Sequence, residues 1–213
     1  IAKAVAHYEP LVIAAKYPER VREVLAESLN DDEMARVSIY DCDNNDTWAR
    51  DHAFITLVST TDASASCRLL DFRFNGWGEK FAADKDNRIN RTLYDKGVFS
   101  GERVDYDDFV LEGGSIESDG RGTVLTTSVC LMAPHRNQPM TQAEVEAVLK
   151  ERLCARKIVW FDHGQLIGDD TDGHIDTIVR VCPDNTLLYV GCDDENDPQY
   201  ADLKALENQL QQA

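Results

Sequence analysis

The chain has 213 residues, 43% of them hydrophobic and 29% charged, which is enough apolar content for a folded core and too much for a disordered chain. Its formal net charge of −17 argues against nucleic acid and anionic membrane surfaces, both of which require basic patches. No apolar run reaches the ~20 residues of a membrane-spanning helix.

The sequence starts Ile1-Ala2-Lys3-Ala4 with neither an initiator methionine nor a secretory leader, so a processed or cut N-terminus is expected. Residues 18–29 place Val21, Val24, Leu25 and Leu29 at helical spacing, and Pro18 suits the first turn. Asn30-Asp31-Asp32 ends that helix, and 36–41 reads as a short strand. A polar loop leads to Thr47-Trp48-Ala49-Arg50-Asp51, followed by β-rich runs at 54–59 and 68–74. Asn75-Gly76-Trp77-Gly78 marks a turn, and 79–96 is predicted helical. Strand signals return at 103–111, and Ser118-Asp119-Gly120-Arg121-Gly122 predicts a hairpin into the strand 123–127. Thr141 with Glu144 forms a capping box for a helix to about Leu153. A strand at 157–162, strands at 177–181 and 186–190, and a last helix ending near Leu210 complete the reading. The six cysteines (Cys42, Cys67, Cys130, Cys154, Cys182 and Cys192) show no CxxC or metal-finger spacing. Several lie in apolar runs, which predicts reduced thiols and a cytoplasmic location.

A repeat underlies this order. Asp51, Glu112 and Gly173 stand 61 residues apart in turn, each at the approach to a strand. The pattern predicts an α+β architecture of one recurring unit, a propeller or solenoid, with units at roughly 1–75, 76–135 and 136–213. Polar groups at equivalent strand ends then converge near one axis.

The residues brought together in this way are Asp51, Glu112, His174 and Asp176. The octet Asp169 to Asp176 holds four acids and a histidine, and a strand at 177–181 would place His174 and Asp176 on one face. Two facing carboxylates suit a planar guanidinium, whose paired N–H donors match carboxylate oxygens. Trp48 can cover one face of such a cation. Glu112 is expected to hydrogen-bond the imidazole and favour its protonated form.

The segments Asn45-Asp46-Thr47-Trp48-Ala49-Arg50-Asp51-His52, Asn75-Gly76-Trp77-Gly78, Leu111-Glu112-Gly113-Gly114-Ser115-Ile116 and Thr171-Asp172-Gly173-His174-Ile175-Asp176-Thr177 resemble the agmatine deiminase and bacterial peptidylarginine deiminase family. They occur in the family's order over nearly the whole chain. The resemblance implies the pentein fold, an αβ propeller of five units, of which about three would be present, with both ends of the family pattern missing. It implies that Asp51 and Asp176 grip a substrate guanidinium, that His174 is the general acid/base and that Glu112 supports it. Trp48 and Asp172 are expected to line the substrate or stand just behind it. The family's nucleophilic cysteine lies in a glycine-rich C-terminal stretch that this sequence lacks, and Cys130 matches an ordinary structural position. The implied reaction converts agmatine to N-carbamoylputrescine and ammonia through a covalent thiouronium intermediate, with neither metal nor organic cofactor. Residues 1–213 alone are expected to be inactive. The partner is a small cationic guanidino compound, and a homo-oligomer is compatible with the sequence.

Three other readings compete. A peptidylarginine deiminase would use the same motifs and differ only in how the far end of the substrate is held. A hydrolase with a hard metal on Asp169, Asp170, Asp172, His174 and Asp176 would leave the Trp-Ala-Arg-Asp and Glu-Gly-Gly motifs unexplained. A non-catalytic pentein binding module would have no use for the Asp/Glu/His-x-Asp set.

Overall fold

The computed structural model describes residues 1–213. Helix α1 (Ala2–Tyr8) precedes strand β1 (Leu11–Ala15), and α2 (Pro18–Ala26) carries the chain to β2 (Val37–Asp41), which pairs parallel to β1 with Leu11 opposite Val37. β3 (Ile55–Leu57) and β4 (Arg68–Arg73) pair antiparallel, α3 (Asp86–Asp95) crosses over, and β5 (Glu102–Val110) lies parallel to β4. The same order follows directly. β6 (Ile116–Ser118) pairs antiparallel with β7 (Thr123–Thr127), and after α4 (Gln142–Arg152) comes β8 (Lys157–Phe161), parallel to β7. A last hairpin, β9 (Val179–Cys182) with β10 (Thr186–Tyr189), leads to α5 (Tyr200–Leu210).

The architecture is α+β, and hairpin, helix and parallel strand recur. The unit is complete in the two three-stranded sheets, β3-β4-β5 and β6-β7-β8, and partial in the two-stranded sheets at either end. The hydrogen-bonded sheets therefore cut the chain elsewhere than 75/76 and 135/136, positions that lie between a hairpin and its own crossover helix. Parallel pairing needs such a connection, so each sheet closes one strand after its helix. The 61-residue spacing is structural nonetheless. Asp51, Glu112 and Gly173 each stand just ahead of the first strand of a hairpin, β3, β6 and β9 respectively.

Local chemistry sets the boundaries. Helix α2 stops at Ala26, and Asn30 opens a separate turn, its side chain accepting from the Glu33 N–H at 2.9 Å while Glu33 accepts from that of Asn30. Val24, expected on the buried face of this helix, is 59% exposed. The Thr141–Glu144 capping box opens α4 as expected. The hairpin of β6 and β7 is tied by Asp119, which accepts from the amides of Arg121 at 2.7 Å and Thr123 at 2.9 Å. The helix expected from residue 79 begins only at Asp86, because the turn ahead of it is left-handed at Gly76, Trp77, Gly78 and Glu79.

The largest core lies between the two complete units. Leu70 and Phe72 of β4, Phe109 of β5, Val124 of β7, Ile158 of β8 and Val145 and Leu149 of α4 are buried there together. A second core packs Leu203 and Leu206 of α5 on Phe161, Ile175, Ile178 and Val179. The turns between these cores carry the polar residues of the site. All six cysteines are free, with Cys42 and Cys130 buried and Cys154 exposed. No helix is long and apolar enough to cross a membrane.

Candidate active site

The loop ahead of Trp48 is held by a reciprocal clamp. The buried Asp86 carboxylate accepts from the amides of Asn45 at 2.7 Å and Asp46 at 3.1 Å, and the Asn45 side chain accepts from the Lys85 amide at 2.8 Å. A single helical turn, Ala49–His52, then points Asp51 inward, where it is 6% exposed. Its two oxygens accept from Trp77 Nε1 at 2.9 Å and from the Gly114 amide at 3.0 Å. Trp77 reaches Asp51 from the left-handed turn at 76–79. Glycine is required at 76, with φ of +72°, because a Cβ there would strike the Phe81 carbonyl.

The octet is rigid for a different reason. Asp169 accepts from the Gly173 amide at 2.6 Å and from the Thr171 hydroxyl at 2.6 Å. Thr171 Oγ1 accepts from the His174 amide at 3.1 Å, and the hydroxyls of Thr127 and Thr177 donate to the carbonyls of Gly173 and His174. Residues Ile175–Thr177 form a 3-10 turn rather than the start of a strand. The expected shared strand face is therefore replaced by a turn, which still brings His174 and Asp176 to one place. A Cβ built on Gly114 would stand 2.5 Å from His174 Nδ1, 2.7 Å from Asp51 Oδ1 and 3.0 Å from Asp176 Oδ2. Any larger residue would fill the point where the three groups meet.

These groups line a cavity of about 570 Å³. Its acids are Asp46, Asp51, Asp170 and Asp176, its aromatic walls Trp48, Trp77 and Phe81, and its only other charged or titratable side chains Arg50 and His174. Trp48 stands 61% exposed at the cavity wall. His174 is 2% exposed, with Nδ1 3.6 Å from Asp51 Oδ1 and Nε2 buried without a hydrogen-bond partner. Asp176 has one ion-pair neighbour, Arg50 Nε at 3.8 Å. Burial raises the Asp176 carboxyl above its ordinary value, against the pull of His174, and the Asp51 charge adds to the rise. A bound cation would reverse that.

Two of the residues read from the sequence have other partners. Glu112 makes no hydrogen bond to the imidazole. Its fully buried carboxylate accepts from Arg136 Nε at 3.1 and 3.3 Å. Asp172 does not line the cavity, and its oxygens are taken by Lys80 Nζ and Arg136 Nη1, both at 2.6 Å. Burial opposes the Asp172 charge, but these two cations outweigh it and hold the carboxyl below its ordinary value. Arg136, Trp77 and Lys80 thus position the site, and only Trp77 lay in a motif. His52 is buried outside the lining, facing Phe74, and burial pushes its imidazole value down. Cys130, behind the cavity, is fully buried, and burial together with Glu112 pushes its thiol well up. The octet acids do not converge as a hard-metal ligand set, because Asp169 is taken by amides and hydroxyl and Asp172 by cations.

The model of the Porphyromonas-type peptidyl-arginine deiminase family matches residues 1–213. Agmatine deiminase of Stutzerimonas stutzeri (strain A1501) is 34% identical over 218 residues, covering 100% of this chain and 56% of that protein. Agmatine deiminase of Pseudomonas aeruginosa (strain LESB58) is 32% identical over 210 residues, covering 96% of this chain and 54% of its own. Among solved structures, a cysteine-to-serine variant of C. jejuni agmatine deiminase with substrate bound matches with a TM-score of 0.87 at 34% identity, over 99% of this chain and 60% of that one. The chain therefore spans little more than half the length of the curated relatives it matches. With the four motifs in order, the same α+β fold and a match that runs through every residue, the chain belongs to the Porphyromonas-type peptidyl-arginine deiminase family.

Proposed function

We propose that residues 1–213 supply the guanidinium-binding and acid/base groups of an agmatine deiminase. The observation that carries this reading is the meeting of Asp51, Asp176 and His174 around Gly114, at the wall of a cavity with four carboxylates. Asp51 and Asp176 offer acceptors to the N–H groups of a guanidinium, in charge-assisted bonds contributing roughly 1.5–3 kcal/mol each. Trp48 covers one face of the cation. The surplus of acids favours a second positive charge at the far end of the substrate, as in agmatine, and repels the free carboxylate of arginine.

In the reaction a cysteine thiolate attacks the guanidinium carbon, and the C–N bond to the leaving nitrogen breaks as His174 gives it a proton, releasing ammonia. His174 then takes a proton from water, which adds to the thiouronium carbon, and the thiolate leaves. Glu112 acts on the imidazole through space, its own hydrogen bonds being spent on Arg136. No cysteine lines the cavity, and the nearest, Cys130, is a buried neutral thiol. The nucleophile is therefore assigned to sequence outside residues 1–213, and this chain alone is expected to bind agmatine without turning it over.

Calorimetric titration of the 213-residue chain with agmatine tests the binding half, with D51N and D176N as controls. Ammonia release from agmatine by a longer protein that contains this segment and its nucleophile tests the chemistry. Undiminished release by H174A would remove His174 from the mechanism. Preference for a blocked arginine peptide over agmatine would transfer the site to peptidyl substrates.

A further inference from the structure

One cluster of donors joins His174 to two residues outside the cavity lining. Glu112, Cys130 and His174 each offer one ligand atom, and the three atoms lie within 4.8 Å of one another. All are buried, at 0%, 0% and 2% exposure respectively. They arrive from three separate turns. Glu112 precedes the 3-10 turn Gly113–Ser115, and His174 precedes the turn Ile175–Thr177. Cys130 sits in the helical turn Ser128–Leu131, where its amide donates to Thr127 Oγ1 at 3.2 Å.

A second observation singles out this cluster. His174 Nε2 is a buried imidazole nitrogen with no hydrogen-bond partner, a state that is uncommon and costly. We propose that Glu112, Cys130 and His174 form a binding site for a borderline-soft divalent cation of the zinc class. The donor set of one sulfur, one nitrogen and one oxygen is of the kind Zn²⁺ takes, and three protein ligands leave a fourth position open. Ca²⁺ and Mg²⁺, which bind through oxygen alone, do not match it. Arg136, itself held by Asp172, orients the Glu112 carboxylate, as outer partners do around metal ligands.

On binding, a metal–sulfur bond forms while the Cys130 S–H proton leaves to solvent, so the cation arrives with release of one proton and no change of oxidation state. His174 is the one member of the cluster that also lines the cavity. Occupancy ties up the imidazole. A cation here therefore blocks the proton transfers assigned to His174, a consequence that rests on the deiminase reading, whereas the binding itself does not.

Co²⁺ added alone to the 213-residue chain tests the site, read by the thiolate-to-cobalt absorption band in the near ultraviolet. The expected result is a band that saturates at one ion per chain and is lost when Zn²⁺ is added. C130A should abolish the band, and H174N should weaken binding at least about tenfold, the lower end of the loss produced by removing even an outer partner. C154A, which removes an exposed thiol elsewhere, should keep it. Circular dichroism of each variant establishes that it is folded, and H174N carries the test if C130A is not. Persistence of the band in C130A, unchanged affinity in H174N, or no band in the parent chain would overturn the proposal. The readout needs no turnover, so a failed agmatine titration leaves it standing, and a failed cobalt titration leaves the deiminase reading standing.

Discussion

Asp172 and Asp176 lie four residues apart in one octet, and they are opposite kinds of carboxylate. Asp172 is claimed by Lys80 and Arg136, and through Arg136 it is joined to the buried Glu112. Asp176 has only Arg50 at 3.8 Å and faces Asp51, whose own bonds come from the neutral donors Trp77 and Gly114. Their carboxyl groups accordingly shift in opposite directions, Asp172 down and Asp176 up. The first pair of acids is neutralised by the protein's own cations and holds the site's frame. The second has no lysine or arginine closer than Arg50 at 3.8 Å, and it is the pair proposed to take a substrate guanidinium. Proximity in sequence and identity of residue type say nothing about which is which. The distribution of arginine and lysine around them decides it.

The largest effect should come from breaking the frame. R136M removes the cation between Glu112 and Asp172 and leaves a fully buried carboxylate unpaired, which costs about 3–5 kcal/mol. Urea unfolding should show this as a lower midpoint, and E112Q in the R136M background should restore part of the loss. A midpoint unchanged by R136M would mean that Glu112 is not held as a charged partner.

Next come the two acids of the grip. D51N and D176N should each weaken agmatine binding by roughly 10- to 100-fold, the equivalent of about 1.5–3 kcal/mol. Their stabilities should diverge. D51N sets an amide N–H₂ against either Trp77 Nε1 or the Gly114 amide and should lose about 1–3 kcal/mol. D176N relieves a half-buried charge facing another carboxylate and should melt no lower than the parent, as expected of a residue kept for binding at some expense in stability. Equal melting losses in both variants would erase the distinction between a carboxylate bonded by the protein and one that is not. G114A should follow, with overpacking of about 1–3 kcal/mol and weakened agmatine binding, because the added methyl falls among His174, Asp51 and Asp176.

The residues that meet around Gly114 were largely legible in the sequence, and the cations that frame them were not. The 61-residue recurrence put Asp51, Glu112 and the His174 turn at equivalent places, because each precedes a hairpin that packs the same way. His174 and Asp176 did converge, although through a 3-10 turn and not along a strand face. Glu112 was readable as an acid near the histidine, but its bonding partner was not. Arg136 sits 24 residues further on in a loop with no periodicity to place it, and a lone arginine among many gives no sign that it will be buried. Trp77 was readable only as part of a turn. That its indole reaches Asp51 follows from consecutive left-handed residues at 76–78, and only the glycines hinted at those. Hydrophobic patterning marks strands without marking which of them pair across a helix, so the division into sheets was not readable from it.

The comparison can also be sharpened with a carboxylate stabilised without arginine or lysine. Asp202, in α5, is opposed by burial, but hydrogen bonds from His163 Nδ1 at 2.7 Å and from the amides of Gly164 and Gln165 at 2.7 and 3.0 Å outweigh it and hold the carboxyl below its ordinary value. A carboxyl with a depressed folded value binds fewer protons folded than unfolded. Its contribution to stability is therefore complete above the unfolded value of about 3.9 and disappears as pH falls through the lower folded value. Thermal melts of the parent across that acid range should decline, and D202N should decline less steeply while starting lower at neutral pH. Asp108 and Asp119 are depressed as well, so part of the decline should survive in D202N. Parallel acid limbs in the two proteins would show that fixed amide dipoles and one imidazole hold this carboxylate no better than water does. In that case the contrast with Asp172, held down by Lys80 and Arg136, would be one between bound cations and neutral donors.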